Sequence, residues 1–170
     1  MSEFYGITLE TISMPFFKDF SSSSLLSDSL SVPLSESGRE ENKSTVVPFR
    51  NGVMLSVLAS VADGFGCKYI AIGNQYTEDS IYLDSKKEFI DKISSAIKVG
   101  TDSQIEVLSP LCDMTKTEVV QLGNRLGTPF ELTWTCYNNH ELQCGECSSC
   151  VKRKKAFLEN KLTDPVGYYK

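Results

Sequence analysis

The spacing of hydrophobic positions predicts helices and strands that alternate along most of the chain. Apolar residues recur at helical spacing over 53–61, and a short apolar run at 68–73 predicts a buried strand. A second helical pattern at 89–97 precedes another strand pattern at 105–108. Strands that alternate with helices are typical of βα units, so we expect an α/β fold with a parallel sheet and flanking helices.

The N-terminal part of the chain follows a different pattern. Alternating residues at 6–12 predict one further strand. Residues 18–46 are rich in Ser, Asp and Glu, including four consecutive serines at 21–24. Such a segment buries too little apolar surface to offset the entropy lost on ordering, so we expect a polar, partly mobile loop.

Two more helices are predicted in the C-terminal part. Thr115 and Glu118 are placed as a capping box, which predicts a helix that ends at Arg125. A final helix is predicted over 148–160, directly after a group of cysteines.

Composition and charge limit the classes of function. The 170 residues are 41% hydrophobic and 23% charged, which is ordinary for a soluble domain. The net charge of -5 argues against nucleic-acid binding through a broad basic surface. No apolar stretch is expected to approach the roughly 20 residues of a membrane-spanning helix, and no signal-peptide pattern is present. We therefore expect a cytoplasmic protein with reduced cysteines and neither a membrane nor a nucleic acid as partner.

Four cysteines lie close together in the sequence with the spacing C-x7-C-x2-C-x2-C: Cys136, Cys144, Cys147 and Cys150. Four thiolates at such spacing bind zinc tetrahedrally, and each C-x2-C step brings two sulfurs together across a tight turn. Gly145 gives the turn its flexibility, and Ser148 is placed to cap the helix that carries Cys150. The pattern favours a structural zinc site.

Other readings of the cysteines stay open. An iron–sulfur cluster is one, although the chain lacks the further Cys-Pro step of bacterial ferredoxins. A redox pair of Cys144 and Cys147 is another. His140, the single histidine, is read as a surface-loop residue, and without a second histidine Ser-His-Asp catalysis has little support.

Longer motifs surround the cysteines. The chain reads LTWTCYN at 132–138, CGECSSC at 144–150, RKKAF at 153–157 and DP at 164–165. Upstream it reads VPFRN at 47–51, IYLDS at 81–85 and LCDMTKTEV at 111–119. Together these motifs resemble the 7-cyano-7-deazaguanine synthase family over nearly the whole chain.

The resemblance implies a fold and a reaction. The fold would be of the adenine-nucleotide α-hydrolase type, with a PP-loop-type α/β domain over 1–130 and a zinc-binding subdomain over 131–170. The reaction would be the ATP-dependent conversion of 7-carboxy-7-deazaguanine and ammonia to the nitrile in queuosine-type 7-deazapurine biosynthesis. Zinc on the four cysteines and ATP would be the cofactors, and a homodimer is expected.

The sequence departs from the family at the phosphate loop. Family members carry a Ser-Gly-Gly-x-Asp-Ser loop whose N–H groups hold ATP phosphate, and these 170 residues contain none. The nearest stretch, Ser35-Glu36-Ser37-Gly38, lies in the polar loop. We expect an N-terminally truncated form that is incomplete without a P-loop fragment. The alternative is a non-catalytic zinc-binding subunit that completes the site of a separate P-loop protein, and a thiol oxidoreductase is weaker still.

The resemblance also suggests substrate contacts. Tyr82, Asp84 and Glu88 match the family's Tyr-Pro-Asp-Cys-Arg-Pro-Glu-Phe, whereas the intervening Cys-Arg-Pro is absent. A carboxylate at Asp84 suits the N–H donors of a guanine-like edge, but it could equally cap a helix near Ser85.

Three residues at predicted helix starts are further candidates. Arg50 could meet phosphate or the substrate carboxylate, and Asn51 is either a ligand contact or the N-cap of its helix. Lys116 is a candidate contact for ATP phosphate. In an open parallel sheet, such positions lie beside the carboxyl ends of strands, where ligands bind.

Overall fold

The computed structural model describes residues 1–27, 29–35, 39–75, 80–138 and 140–169 of a mixed α/β protein with a parallel sheet. The chain divides into two compact units. The first, here the sheet unit, is Pro48–Thr115. The second, here the cysteine unit, combines Met1–Val47 with Lys116–Lys170. The predicted domain boundary at residue 130 stays a prediction.

The described α-helices are, in chain order, α1 Ser2–Tyr5, α2 Phe16–Phe20, α3 Arg39–Asn42, α4 Arg50–Gly64, α5 Lys87–Gly100, α6 Lys116–Arg125 and α7 Ser148–Glu159. Short 3-10 helices span Lys43–Thr45, Leu83–Ser85 and Phe130–Leu132. The strands are β1 Tyr69–Ala71 and β2 Glu106–Leu108, which pair in parallel with Ile70 opposite Val107.

The sheet unit confirms the alternation of helices and strands. Leu55, Ala59 and Ala62 recur along one face of α4 and are buried together with Ile90 and Ile97 of α5. Ile70 of β1 and Ile105, which directly precedes β2, complete this core. In α5 the predicted apolar positions do form the buried face. In α4 the helix is confirmed but its predicted face is not, because Met54 and Leu58 are 46% and 39% exposed.

One stretch of the chain contradicts the expectation that no apolar segment approaches the length of a membrane-spanning helix. By length and composition, Lys43–Gly64 could span a bilayer, with 22 residues and a mean hydropathy of 1.4. This is weak evidence, because a core helix of a soluble protein has the same properties. The continuous helix α4 has 15 residues, and at about 1.5 Å per residue it falls short of the roughly 30 Å hydrocarbon core.

The cysteine unit has its own small apolar core. Val120 of α6 packs with Ala156 and Phe157 of α7, and Phe130 and Leu162 lie against them. The rings of Phe130 and Phe157 meet edge to face with their centroids 5.0 Å apart. The predicted helices at 115–125 and 148–160 are thus confirmed within one residue at each end.

The strand predicted at 6–12 is wrong. Residues 7–14 have no regular structure, and Ile7 and Leu9 are 63% and 70% exposed. Alternation indicates only a local preference, and a strand also needs a neighbour to satisfy its backbone groups. Within the described residues, no strand pairs with this segment.

The described parts of the polar segment 18–46 are more ordered than predicted. Ser23, Ser24 and Thr45 are buried, and Ser24 N donates to Ser44 O at 2.7 Å. Ser23 Oγ also accepts from Leu25 N at 3.2 Å, so hydrogen bonds both local and across the segment satisfy serines that the composition assigned to a loop. Of the stretch Ser35-Glu36-Ser37-Gly38, residues 36–38 lie outside the described residues.

Candidate functional site

The four predicted cysteines converge on one point in the cysteine unit. Their Sγ atoms all lie within 4.8 Å of one another, and Cys144 Sγ is 3.9 Å from Cys150 Sγ. All four cysteines are buried, and none forms a disulfide. A tetrahedral ion with metal–sulfur bonds of about 2.3 Å would hold its sulfurs about 3.8 Å apart. The cluster could therefore bind a metal ion.

A tight turn brings the central cysteines together. Gly145 has φ 81°, a left-handed conformation that a side chain would strain. Across this turn, the backbone N–H groups of Glu146 and Cys147 donate to Cys144 Sγ at 3.4 and 3.3 Å. The turn thus orients the sulfur and surrounds it with donors.

The predicted N-cap at Ser148 is wrong. Cys147 is the N-cap of α7, with an extended backbone, and its carbonyl accepts from Val151 N at 3.0 Å. Ser148 is the first helical residue, so Cys150 lies on the first turn as expected. One of the four candidate ligands, Cys147, therefore occupies the N-cap position of α7 itself, and the serine follows it inside the helix.

The surroundings of the sulfurs shift their pKa values in opposite directions. Burial raises the pKa of Cys144, but the N–H groups of Cys147 and Glu146 outweigh it and lower the pKa to about 6. Burial raises the pKa of Cys136 and, more strongly, of Cys150. Because a metal ligand must be a thiolate, binding of an ion would release the protons that burial retains.

A buried ion pair stabilises α7, the helix that follows the cysteines. Arg153 Nε and Nη2 each lie 2.8 Å from a carboxylate oxygen of Asp164, and the two side chains are 4% and 10% exposed. Arg153 also donates to Thr133 Oγ1 at 2.6 Å and to Phe130 O at 3.2 Å. Tyr168 donates its hydroxyl to Asp164 at 2.6 Å. The pair therefore ties α7 to both chain segments that flank the cysteine cluster.

This ion pair predicts a specific dependence of stability on pH. Burial raises the pKa of Asp164, but hydrogen bonds from Arg153 and Tyr168 outweigh it and hold the pKa below its ordinary value. A lowered pKa in the folded state contributes stability above the unfolded value of about 3.9, which is lost as pH falls through the folded value. We expect wild type to exceed Asp164→Asn in free energy of unfolding at neutral pH, with the difference shrinking below about pH 4.

Denaturant titrations over a pH series would measure this difference. Glu131→Gln, which removes an exposed carboxylate from the same unit, is the matched control. A wild-type advantage over Asp164→Asn that stays constant down to the lowest pH would contradict the expected linkage.

Lys116 is the first residue of α6 and is partly buried. Its burial, together with the positive charges of Arg153 and Lys152, lowers its pKa. Positive charges on α7 are therefore felt at the start of α6 within the cysteine unit. The proposed contact of Lys116 with ATP phosphate stays a prediction.

In the sheet unit, Asn51 and Asp84 are brought together by direct hydrogen bonds. Asn51 N donates to Asp84 Oδ2 at 2.8 Å, and Asn51 Nδ2 donates to Asp84 O and to Ser85 Oγ. The N-cap of α4 is Phe49, so the N-cap role of Asn51 is wrong. Asp84 does cap a helix, but it caps α4 from 33 residues away and not the helix that follows Ser85.

Polar residues that follow both strands extend this network, and the sequence analysis missed them. Asn74, three residues after β1, donates to Ser85 O at 2.9 Å and accepts from Ser109 Oγ. Ser109 directly follows β2. Cys112 is buried, and its sulfur lies 3.5 Å from Asn74 Nδ2, in a polar setting. Their position after the carboxyl ends of two predicted parallel strands is the sequence feature that could have identified Asn74 and Ser109.

The remaining candidates lie at or near the surface of the sheet unit. Arg50 is exposed, and within the described residues it makes no ion pair. Tyr82 is partly buried, while Glu88 is exposed and pairs with Lys92 at 2.6 Å. Roles of these three residues in substrate binding stay predictions.

Comparison with known proteins identifies the family. Residues 1–161 match the family described as Queuosine biosynthesis protein QueC. A 7-cyano-7-deazaguanine synthase from Desulfotalea psychrophila is 37% identical over 168 residues, covering 99% of this chain and 77% of that protein.

Two further relatives agree. The 7-cyano-7-deazaguanine synthase of Methanosphaerula palustris is 38% identical over 92% of this chain and 72% of its own length. The synthase of that name from Campylobacter fetus is 40% identical over 90% of this chain and 69% of its own length. The chain that carries the buried four-cysteine cluster therefore belongs to the queuosine biosynthesis protein QueC family.

Proposed function

We propose that this chain acts in the ATP-dependent conversion of 7-carboxy-7-deazaguanine and ammonia to 7-cyano-7-deazaguanine. The observation that carries the proposal is the relationship, along nearly the whole chain, to proteins named as 7-cyano-7-deazaguanine synthases. We place this reaction in the cytoplasm and the chain in a fold of the adenine-nucleotide α-hydrolase type.

The proposed deazapurine site lies in the sheet unit, at the polar network around Asp84. Asn51 N holds Asp84 Oδ2 at 2.8 Å, which fixes the carboxylate and leaves Oδ1 to accept from N–H donors of the substrate. Arg50, at the start of α4, is available to the carboxylate of the substrate or to a phosphate. Tyr82 and Glu88 would flank the same segment.

Activation of the carboxylate by ATP is chemically reasonable, because a carboxylate oxygen is a poor leaving group and a nucleotide ester is a better one. The phosphates need preorganised positive charge, and Lys116 is the proposed contact. Because these 170 residues contain no Ser-Gly-Gly-x-Asp-Ser stretch, we propose that ATP turnover requires a phosphate-binding segment in addition to them. A homodimer remains part of the proposal.

We assign zinc to the cysteine cluster, with a structural role. Four thiolates complete a tetrahedral shell and leave no position for a reactive water. Cys136, Cys144, Cys147 and Cys150 would supply these thiolates, and their burial suits a closed site. The ion would then stabilise the turn and the start of α7, while the reaction takes place elsewhere.

An activity assay with mass-spectrometric detection of the nitrile would test the reaction. Purified protein is incubated with 7-carboxy-7-deazaguanine, ATP and ammonia, with and without a fragment of a synthase that contains the phosphate loop. We expect nitrile only when the fragment is present. Deazapurine bound by neither preparation would contradict the proposed substrate. A parallel assay would use the complete synthase from which the fragment derives. If that synthase forms nitrile alone and this chain only increases its rate, the alternative of a non-catalytic zinc-binding partner would be favoured.

Variants of Asp84 would test the proposed substrate contact. We expect Asp84→Asn to weaken deazapurine binding at least about tenfold, because one acceptor is replaced by a donor against the N–H groups of the ligand. Asp91→Asn, which removes an exposed carboxylate of α5, is the matched control and should bind normally. Equal binding by both variants would exclude Asp84 from the site.

A further inference from the structure

The side chain of Gln143 is buried beside the cysteine cluster, and half of its hydrogen-bonding capacity is unused. Gln143 is 1% exposed, and its Oε1 lies 3.9 Å from Cys150 Sγ. Its Nε2 has no hydrogen-bond partner among the described residues. A buried amide donor without a partner is uncommon in folded proteins and calls for a physical reason.

The backbone fixes Gln143 in this place. Gln143 N donates to Gly167 O at 3.2 Å, and Tyr169 N donates to Gln143 O at 3.1 Å. The next residue is Cys144, itself one of the four cysteines. These bonds fix the backbone of Gln143 between the C-terminal segment and the turn, and its buried side chain lies with one end of the amide toward Cys150.

Coordination of a metal ion by Cys150 would decide which end of the amide faces its sulfur. With the amide as it stands, the thiol of Cys150 donates to Oε1. A metal-bound cysteine is a thiolate without a proton, so this arrangement would set two acceptors against each other. Rotation of the terminal amide by about 180° exchanges nitrogen and oxygen, which have nearly the same size. Nε2 then donates to the sulfur, and the end left without a partner is the acceptor Oε1, which buried sites tolerate better than an unpaired N–H.

We propose that Gln143 is a positioning residue of the metal site, whose Nε2–H donates a hydrogen bond to the thiolate of Cys150. This inference rests on the proposed zinc site and extends it beyond the four ligands. The hydrogen bond stabilises negative charge on a sulfur in apolar surroundings and fixes the direction of its lone pairs. Gln143 thereby couples the C-terminal segment, through its backbone, to the metal.

Zinc affinity of two variants tests the proposal. Gln143→Glu keeps the shape but replaces the donor by an acceptor, and Gln143→Met keeps the approximate volume without a donor. Loss of a group that supports a metal ligand typically lowers affinity about 10–100-fold. In competition with a chelator, we expect the zinc affinity of Gln143→Glu to fall at least about tenfold and that of Gln143→Met to fall by less. Gln121→Glu, at an exposed position of α6, makes the same change of charge and should bind zinc as wild type does.

A measurement on wild type keeps the proposal testable where a variant does not fold. In the cadmium-substituted protein, NMR should show scalar coupling between the metal and a side-chain amide proton of Gln143. Absence of that coupling, or wild-type zinc affinity in Gln143→Glu, would overturn the proposal while leaving the zinc site intact. Wild-type protein that binds no zinc would overturn both, so the two failures are distinguishable.

Discussion

Replacement of Cys147 by serine is expected to abolish tight metal binding and to unfold the cysteine unit. Cys147 is 1% exposed, and it combines the roles of proposed ligand and N-cap of α7. Structural zinc contributes about 10–16 kcal/mol of apparent binding free energy in small zinc domains, which far exceeds the usual margin of stability. Loss of one thiolate removes a large part of this energy and leaves three sulfurs without a complete shell.

Metal analysis and thermal unfolding would measure the two effects together. Cys67→Ser is the matched control, because Cys67 is exposed in the sheet unit and should retain both metal and stability. Chelation of wild-type protein should reproduce the unfolding seen in Cys147→Ser, which separates metal loss from the loss of a packed thiol. A Cys147→Ser protein with full zinc content and an unchanged transition would contradict the proposed role.

The cysteine cluster was predictable because all of its candidate ligands lie within one short segment. Spacing alone brings Cys144, Cys147 and Cys150 together across a turn and the first turn of a helix. The helices α4 and α5 were predictable for a similar reason, since each carries apolar residues at helical spacing. Only in α5 did that spacing also indicate the buried face. Local patterns thus identified the elements whose formation depends on nearby residues.

Features that depend on distant residues were not predictable in this way. The start of α4 is capped by Asp84, 33 positions further along the chain, so the search for a local cap selected Asn51 incorrectly. The strand predicted at 6–12 failed because alternation does not reveal whether a partner strand exists. Arg153 and Asp164 stood out only as parts of longer motifs, and nothing in the sequence indicated that they pair, eleven positions apart in numbering.

The ion pair of Arg153 and Asp164 leads to the second prediction with a large expected effect. Arg153→Met is expected to destabilise the cysteine unit by about 3–5 kcal/mol, because it leaves the carboxylate of Asp164 buried without its cation. The carbonyl of Phe130 and the hydroxyl of Thr133 would each lose one donor as well. Such a loss approaches the whole stability of a small domain.

The double variant Arg153→Met/Asp164→Leu separates an uncompensated charge from lost packing. If the cost of the single variant comes from the unpaired carboxylate, the double variant should recover much of it, since apolar pairs can replace buried ion pairs without loss. Lys155→Met, which breaks an exposed pair with Glu159 on the same helix, should change stability by less than about 1 kcal/mol. If Arg153→Met and Lys155→Met lowered the free energy of unfolding equally, the prediction that breaking the buried pair is more destabilising would be wrong. A large cost that the double variant does not relieve would assign the effect to the hydrogen bonds between Arg153 and the segment around Thr133.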